Sequence, residues 1–183
     1  MVSLSEIKSF VHGRSLLLVG NSERIMRQDN SKVIDSYEIV VRMNYAVPQK
    51  RIGYKTDIWL CSYNNPAFQV VQLAKFNPKY IIRLNENQHI APDIKDRLYI
   101  WPLSDHDQFQ TSLGALPSTG VMAIHFFLNF CEPALLTIIG FDCFEEKTFY
   151  NPKKIAHEYH SLDKEKEYIT RMESDQKIKW IKV

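Results

Sequence analysis

The sequence contains no long apolar run. Its predominantly apolar stretches, such as residues 16–19 and 134–139, are far shorter than the roughly 20 residues that a transmembrane helix needs. We therefore expect no transmembrane segment. The first ten residues include Glu6 and Lys8 and no apolar stretch followed by small residues, so we also expect no secretory signal peptide.

An excess of either charge is also missing. The 183 residues include 23 lysines and arginines and 21 acidic residues, which gives a net charge of +2 at pH 7. Proteins that bind nucleic acids usually carry a strongly basic surface. We therefore expect no nucleic-acid partner, and any anionic ligand must be held by a local arrangement of donors.

Cysteine is scarce, and linkers and repeats are absent. The three cysteines, Cys61, Cys131 and Cys143, cannot all pair, and they stand in or beside apolar runs, which favours buried thiols and a reducing compartment. No Gly/Ser-rich or Pro-rich stretch and no long repeat divides the chain, so residues 1–183 are predicted to form a single domain. Histidines, cysteines and carboxylates show no metal-ligand spacing, so we expect no metal cofactor.

Seven short apolar or β-branched runs mark the predicted strands. They occupy residues 15–19, 38–43, 57–61, 80–84, 98–101, 135–139 and 177–183, and helical patterns separate several of them. Strands that alternate with helices predict an α/β fold with a mostly parallel sheet flanked by helices. In such folds, ligands bind beyond the carboxyl ends of the strands.

Four segments at predicted strand ends or helix starts carry glycine or polar side chains. They are Gly20-Asn21-Ser22, Asn44, Pro117-Ser118-Thr119-Gly120 and Gly140-Phe141-Asp142. In a parallel sheet these segments converge on one edge. Backbone N–H groups in the first segment can meet a phosphate at a helix start, and the hydroxyls of the third can cap a helix predicted over 121–129 or donate to an anion. The alternative is an ordinary turn and simple helix caps.

Two polar residues interrupt the second predicted strand. Asn44 follows a buried apolar run, so its amide needs hydrogen-bond partners, which either a ligand or the protein can supply. Arg42 lies within the run and is predicted to pair with a carboxylate in a structural role.

The last predicted helix spans residues 161–175 and places a carboxylate on its apolar stripe. Glu165 follows Leu162 by three residues and precedes Ile169 by four, so it turns toward the core and must find donors or become protonated. His160 stands at the helix N-terminus, where the dipole disfavours imidazolium and keeps the ring available as a general base. The alternative is a surface histidine beside a structural carboxylate.

Together these segments resemble the sialyl motifs of the CMP-sialic acid-dependent sialyltransferases. The long motif is similar in order and approximate spacing to Val19-Gly20-Asn21-Ser22, Ile34-Asp35-Ser36, Val41-Arg42-Met43-Asn44, Gly53 and Lys55-Thr56-Asp57. The stretch from Pro117-Ser118-Thr119-Gly120 to Ile139-Gly140-Phe141 resembles the small motif, and His160 with Glu165 resembles the very small motif. The resemblance covers roughly residues 16–183.

This resemblance implies a variant of the Rossmann-like glycosyltransferase A fold and an inverting enzyme that uses no metal. The donor would be CMP-sialic acid or a CMP-activated relative such as 3-deoxy-manno-octulosonic acid, and the acceptor would be a glycan hydroxyl. His160 would deprotonate the acceptor, and Glu165 would support the helix that presents it. The nucleotide and donor would contact residues that match the first two motifs: Asn21, Ser22, Asn44, Ser118, Thr119, Gly120, Gly140 and Phe141.

In the family, a second histidine before the very small motif steadies the leaving phosphate. His157 and Tyr150 are both candidates for that contact in this sequence. His157 stands only three residues before His160, and the smaller bacterial sialyltransferases use tyrosines at a place comparable to Tyr150.

Three departures from the family refine these expectations. The disulfide between the long and small motifs is absent, because leucine stands where the partner of Cys131 is expected, at Leu16 or Leu17. Without a signal anchor or stem, a cytoplasmic enzyme of bacterial or phage surface-glycan synthesis is favoured, with peripheral attachment to the inner membrane face as an option. Little sequence separates Gly140 from His160, so the acceptor site is either open or completed by a partner or a second copy in a homo-oligomer.

Two other functions are compatible with the sequence. A non-catalytic module of the same fold would bind a nucleotide or a glycan without turnover, and a related enzyme would use another nucleotide sugar. Donor hydrolysis or transfer that depends on His160 would distinguish a CMP-sugar transferase from the binding module.

Overall fold

The computed structural model describes residues 1–62, 73–84, 92–151 and 160–183. Within them, seven strands form one sheet: β1 (Ser15–Val19), β2 (Ile39–Met43), β3 (Ile58–Cys61), β4 (Tyr80–Arg83), β5 (Leu98–Ile100), β6 (Leu135–Ile139) and β7 (Ile178–Ile181). The α-helices that lie wholly within these residues are α1 (Leu4–Val11), α2 (Ser31–Asp35), α3 (Leu103–Leu113), α4 (Thr119–Phe126) and α5 (Leu162–Ser174). Short 3-10 helices span Glu23–Met26, Lys50–Ile52 and Pro92–Arg97.

Neighbouring strands all run parallel, in the order β5-β4-β3-β2-β1-β6-β7. Leu17 of β1 lies opposite Val40 of β2 on one side and opposite Thr137 of β6 on the other. The strand order reverses at β1, and open α/β sheets bind ligands at such a switch point. The predicted α/β class is confirmed, and all seven predicted strands form, with small differences at their ends.

Both faces of the central strands are buried. In β1, Leu16 and Leu18 lie in the largest apolar core, together with residues of α1, α4 and α5. Leu17 and Val19 point to the opposite face and lie in a second core. A strand that is covered on both sides has no position for an exposed polar residue, which explains the continuous apolar runs in the sequence.

Two helices carry residues of the predicted site. α4 begins at Thr119, two residues before its predicted start, because Ser118 caps it by accepting a hydrogen bond from the Val121 N–H. A π-helical turn at Phe127–Cys131 follows it. α5 is one residue shorter at each end than its predicted span of 161–175, because Ser161 and Asp175 are its caps, and it buries a stripe that includes Glu165. Neither these helices nor any other described helix has the length and apolar content of a membrane span.

The predicted pairing of Arg42 with a carboxylate is wrong. Its guanidinium instead donates to the carbonyl oxygens of Ile52 at 2.7 Å, Gly53 at 3.1 Å and Lys55 at 3.1 Å. Burial lowers the pKa of Arg42 to about 10, while the charge of Asp35 acts in the opposite direction. Arg42 therefore holds the loop between β2 and β3 through its Nε and Nη2 atoms, while its Nη1 is buried and has no hydrogen-bond partner among the described residues.

Cys131 and Cys143 are free thiols. Cys61 and Cys131 are buried, and Cys143 is half-buried. Burial raises the pKa of the Cys131 thiol to about 12 and that of Cys143 to about 11. Both thiols therefore stay protonated at neutral pH, which makes them poor nucleophiles.

Candidate functional site

A cavity of about 300 Å³ lies at the carboxyl edge of the sheet, around the switch point at β1. It is bordered by the segments that follow β1, β2, β3 and β6, by the start of α4, and by α5 and the residue before it. Every predicted site residue in the described part of the chain lines this cavity: Asn21, Ser22, Asn44, Ser118, Thr119, Gly120, Gly140, Phe141, Tyr150, His160 and Glu165. His157 lies outside the described residues.

Close packing around Phe141 explains the glycines of the cavity wall. A Cβ atom on Gly120 would lie 2.7 Å from the Phe141 ring, and one on Gly20 would lie equally close to it. That atom on Gly20 would also overlap the Gly140 carbonyl group. Gly140 itself has a φ of +72°, a conformation that favours glycine. These glycines let the segments after β1 and β6 approach each other and the start of α4.

The turn after β1 offers fewer free N–H groups than the sequence suggests. The amides of Gly20 and Ser22 donate to backbone carbonyls in β6 and at Gly140, and that of Glu23 donates to Lys147. The helix that begins here is a four-residue 3-10 segment, not an α-helix. Phosphate binding by this turn stays a prediction. Because the amides of Gly20, Ser22 and Glu23 already donate within the protein, such binding would depend mainly on Asn21.

The Asn21 side chain is an incompletely satisfied amide in the cavity wall. Its Nδ2 donates to the hydroxyl of Tyr150 at 3.4 Å. Its Oδ1 is buried, and no group in the described part of the chain donates to it. Buried acceptors without a donor are rare and destabilising.

Asn44 connects three elements at the cavity floor. It has a φ of +50°, and its Oδ1 accepts hydrogen bonds from the N–H and the hydroxyl of Ser62, both at 3.0 Å. Its Nδ2 donates to Thr119 Oγ1 at 3.1 Å, and Thr119 in turn donates to Ser62 Oγ at 3.2 Å. Ser62 was not predicted, although it follows the end of β3, where the strand-end rule that found Asn44 also applies.

Glu165 anchors the start of α4. Its carboxylate is 2% exposed and accepts hydrogen bonds from the Ser118 N–H and the Ser118 hydroxyl, both at 2.6 Å. Burial raises the pKa of Glu165, whereas the bonds from Ser118 and the charge of His160 act in the opposite direction. The predicted inward orientation of this carboxylate and its hydroxyl and backbone donors agree with the structure.

Removal of the Glu165 carboxylate should destabilise the fold. Glu165→Ala leaves two buried donors of Ser118 without an acceptor, which costs about 1–3 kcal/mol of unfolding free energy in urea titrations. Glu165→Gln keeps one acceptor oxygen and should recover part of this loss. An Ala variant that is as stable as the wild type but inactive would assign Glu165 to the chemistry instead.

The two variants should also differ from the wild type in pH dependence. Because the pKa of Glu165 is raised in the folded state, its contribution to stability is present below the ordinary value of 4.5 and is lost as the pH rises through the folded-state pKa. Glu165→Gln cannot titrate, so its unfolding free energy should lack this decline.

His160 precedes α5, and its ring contacts the cavity. Its Nδ1 lies 3.0 Å from the carbonyl oxygen of Leu116. A carbonyl oxygen accepts but never donates, so we assign the hydrogen of the neutral ring to Nδ1. Nε2 is then the unprotonated nitrogen. A neutral imidazole with a fixed tautomer can accept a proton at Nε2, as a general base must.

The loop after β6 supplies cavity residues that the sequence did not reveal. Asp142 accepts hydrogen bonds from the Ser22 hydroxyl at 2.7 Å and from the N–H groups of Phe144 and Glu146 at 3.1 Å and 2.9 Å. The further lining residues of this loop are Cys143, Phe144, Glu146 and Thr148. Asp142, the last residue of the Gly140-Phe141-Asp142 segment after the predicted strand 135–139, was the one signal for this turn, because aspartate often bonds to N–H groups of the residues that follow it.

The charged side chains that line the cavity are largely paired with other groups of the protein. No lysine or arginine side chain of the described residues lines it. Glu146 lines it but is neutralised from outside by Arg24 at 3.0 Å and Arg27 at 2.6 Å. Among the described residues, the groups that can hold an anion here are neutral hydrogen-bond donors and the N-terminus of α4. Among the described residues, no group of three or more His, Cys, Asp or Glu side chains is arranged to hold a metal ion.

Comparison with known proteins gives matches among solved structures but none among sequence families. No known protein family matches the sequence, and no curated protein does. Among solved structures, a mammalian sialyltransferase in complex with Gal-beta-1-3GalNAc-ortho-nitrophenol superimposes with a TM-score of 0.62 at 19% identity, over 95% of this chain and 71% of that one. Another mammalian sialyltransferase structure gives a TM-score of 0.62 at 17% identity, over 98% and 79% of the two chains. The chain therefore has a sialyltransferase-like glycosyltransferase fold.

Proposed function

We propose that this protein transfers sialic acid, or a related 2-keto sugar acid, from its CMP-activated form to a glycan hydroxyl, with inversion and without a metal. The observation that carries the proposal is one cavity that contains both a candidate base and the predicted donor-binding residues. His160 has its Nδ1 on the Leu116 carbonyl, and Asn21 lines the same cavity. The sialyltransferase-like fold supports the proposal independently.

The proposed reaction is a single displacement. Nε2 of His160 removes the proton of the acceptor hydroxyl as its oxygen attacks the anomeric carbon of the donor. The bond between that carbon and the phosphate oxygen breaks, and its electron pair leaves with CMP. Attack on the face opposite the leaving group inverts the configuration. The protonated His160 then returns its proton to solvent.

Neutral donors would stabilise the charge that develops on the leaving phosphate. The N-terminus of α4 at Thr119 and Gly120, the Asn21 amide and the Tyr150 hydroxyl all lie on the cavity wall. Preorganised N–H and O–H dipoles stabilise such charge effectively in a site that excludes water. Tyr150 and His157 remain the two candidates for direct contact with the phosphate, and the hydrogen bond between Tyr150 and Asn21 supports Tyr150.

A two-stage measurement tests the proposal. Thermal shifts with CMP, UMP and GMP identify the nucleotide, and incubation with CMP-sialic acid then measures hydrolysis and transfer. We expect selective stabilisation by CMP, with ligand-linked melting shifts, and slow donor hydrolysis that is lost in His160→Ala. Binding of CMP without any turnover would favour the non-catalytic module, and selective stabilisation by UMP or GMP would favour another nucleotide sugar.

Loss of either cavity asparagine should weaken CMP binding. Asn21→Ala and Asn44→Ala should each lose about 1–3 kcal/mol of binding free energy. Each substitution removes an amide that either donates to a charged oxygen of CMP or holds the neighbouring donors in place. Calorimetry measures the dissociation constants. Asn129→Ala is the matched control, since Asn129 is exposed and bonds to His125 outside the cavity. Unchanged CMP affinity in both cavity variants would contradict this placement of the donor.

We further propose that the reaction takes place in the cytoplasm, as part of bacterial or phage surface-glycan synthesis. The free, buried thiol of Cys131 supports a reducing compartment. The acceptor side is proposed to be open or completed by a partner or second copy. Light scattering with and without the acceptor glycan would detect such an assembly.

A further inference from the structure

The loop after β6 places an aromatic ring against the proposed base. The rings of Phe144 and His160 are stacked, with their centroids 5.7 Å apart and their planes inclined by 10°. Both residues line the cavity. Phe144 belongs to none of the segments that the sequence singled out, and the mechanism proposed above does not use it.

We propose that Phe144 is a positioning residue for His160, which holds the imidazole so that Nε2 faces the acceptor hydroxyl. This inference rests on the proposed function. Rotation of a histidine ring about its Cβ–Cγ bond is only weakly restricted by its own covalent geometry. The Leu116 carbonyl fixes one ring nitrogen at 3.0 Å, and the face of Phe144 fixes the plane of the ring. Together the two contacts define one orientation.

The stack also suits the charge that His160 acquires. When His160 accepts the proton of the acceptor, the ring becomes a cation. An aromatic face attracts a cation whose distance from the ring centroid is within about 6 Å. The Phe144 centroid lies 5.7 Å from that of His160, within this distance.

The protein holds Phe144 in a conformation that a bulky residue seldom adopts. Cys143 and Phe144 have φ angles of +52° and +61°, so two consecutive residues are left-handed. Asp142 fixes this turn through its bonds from the N–H groups of Phe144 and Glu146. Such a backbone persists only where its surroundings determine it, and it is frequent at functional sites.

A salt bridge connects this loop to the helix that follows His160. Lys166 of α5 lies 2.9 Å from Glu145, which also pairs with Arg24 at 3.1 Å. Exposed ion pairs contribute little to stability individually. Here these ion pairs add to the hydrogen bonds of Asp142 and fix the Phe144 loop relative to α5. The loop that carries Phe144 and the helix that follows His160 are therefore connected to each other.

The test compares Phe144→Leu with Phe144→Tyr. Leucine removes the flat aromatic face and tyrosine keeps it, so we expect kcat for transfer to fall by about 10- to 100-fold in the Leu variant and to stay near wild type in the Tyr variant, with the donor KM unchanged in both. In a His160→Ala background, Phe144→Leu should cause no further loss, because its effect acts through His160. If the two substitutions lower kcat independently, so that their fold-losses multiply in the double variant, the proposal is overturned.

A matched control removes a second phenylalanine–histidine stack elsewhere. The rings of Phe109 and His125 are stacked with centroids 3.9 Å apart and planes 15° apart, and neither residue lines the cavity. Phe109→Leu should lower the melting temperature and leave kcat unchanged. A Phe109→Leu variant with the same fall in kcat would show that the Phe144 effect is one of stability, which would also overturn the proposal.

Nitrogen NMR of His160 provides a readout that does not depend on activity. In the wild type and in Phe144→Tyr, the neutral ring should carry its hydrogen on Nδ1 and keep one orientation, whereas Phe144→Leu should show increased ring mobility. Unchanged ring mobility in the Leu variant would refute the positioning by Phe144. A wild-type protein without transfer activity would refute the proposed function, and the NMR comparison would still decide whether Phe144 orients the ring.

Discussion

His160→Ala should lower the rate of sugar transfer by about 10²–10⁴-fold, the usual contribution of a general base. The affinity for CMP should change little, because His160 is proposed to act on the acceptor and its hydrogen bond within the described protein goes to the Leu116 carbonyl. The fall should therefore appear in kcat and kcat/KM together. Steady-state kinetics of CMP release and calorimetry with CMP measure the two quantities separately.

His12→Ala is the control for this experiment. The His12 side chain is 60% exposed, lies near Glu132 and does not line the cavity. Transfer by this variant should equal that of the wild type. Near wild-type turnover in His160→Ala would remove His160 from the mechanism. A large loss of CMP affinity in that variant would instead place His160 among the groups that hold the donor.

Gly20→Ala should destabilise the protein by about 3 kcal/mol and abolish CMP binding. An added methyl group at Gly20 would overlap the Gly140 carbonyl and lie 2.7 Å from the Phe141 ring. The backbone after β1 would have to move away from β6, and Asn21 would move with it. Denaturant titrations measure the loss of stability, and calorimetry at a temperature where the variant is folded measures the loss of binding.

Gly13→Ala is the control that separates the effect of steric overlap on stability from the effect of a left-handed backbone. Gly13 has a φ of +72°, but no atom lies within 4 Å of the position of an added Cβ. Its substitution should cost about 1 kcal/mol, the penalty of a left-handed residue, and leave CMP binding intact. Equal stability losses in the two variants would mean that the close approach of Gly20 to Gly140 relaxes easily and does not define the site.

The fold could be predicted because its signals are local. Each strand of a doubly covered parallel sheet is an apolar run, and residues 15–19 and 135–139 coincide with β1 and β6. The helical period also placed Glu165 on the buried face of α5. Such patterns depend on the burial of each residue and not on the identity of its neighbours, so a single sequence contains them.

Partners across the fold could not be predicted in the same way. The sequence indicated that Arg42 was buried, but not that backbone carbonyls between β2 and β3 would receive its hydrogen bonds. Phe144 was missed because its left-handed backbone depends on Asp142 and its function depends on His160, which is 16 residues further along the chain. Interactions of this kind are set by tertiary geometry and leave no periodic signal.

The place of β1 in the sheet determines when the site can form during synthesis. β1 pairs with β2 early in the chain, but its other neighbour is β6, with Leu16 opposite Leu136, 120 residues later. A nascent chain that ends before residue 135 therefore presents one side of β1 as an open edge with unpaired N–H and C=O groups. Pairings over such a sequence distance form slowly. The wall between Gly20 and Gly140 should thus be among the last parts to assemble. The emerging chain passes through a state in which one edge of the apolar strand β1 is open to association with other chains.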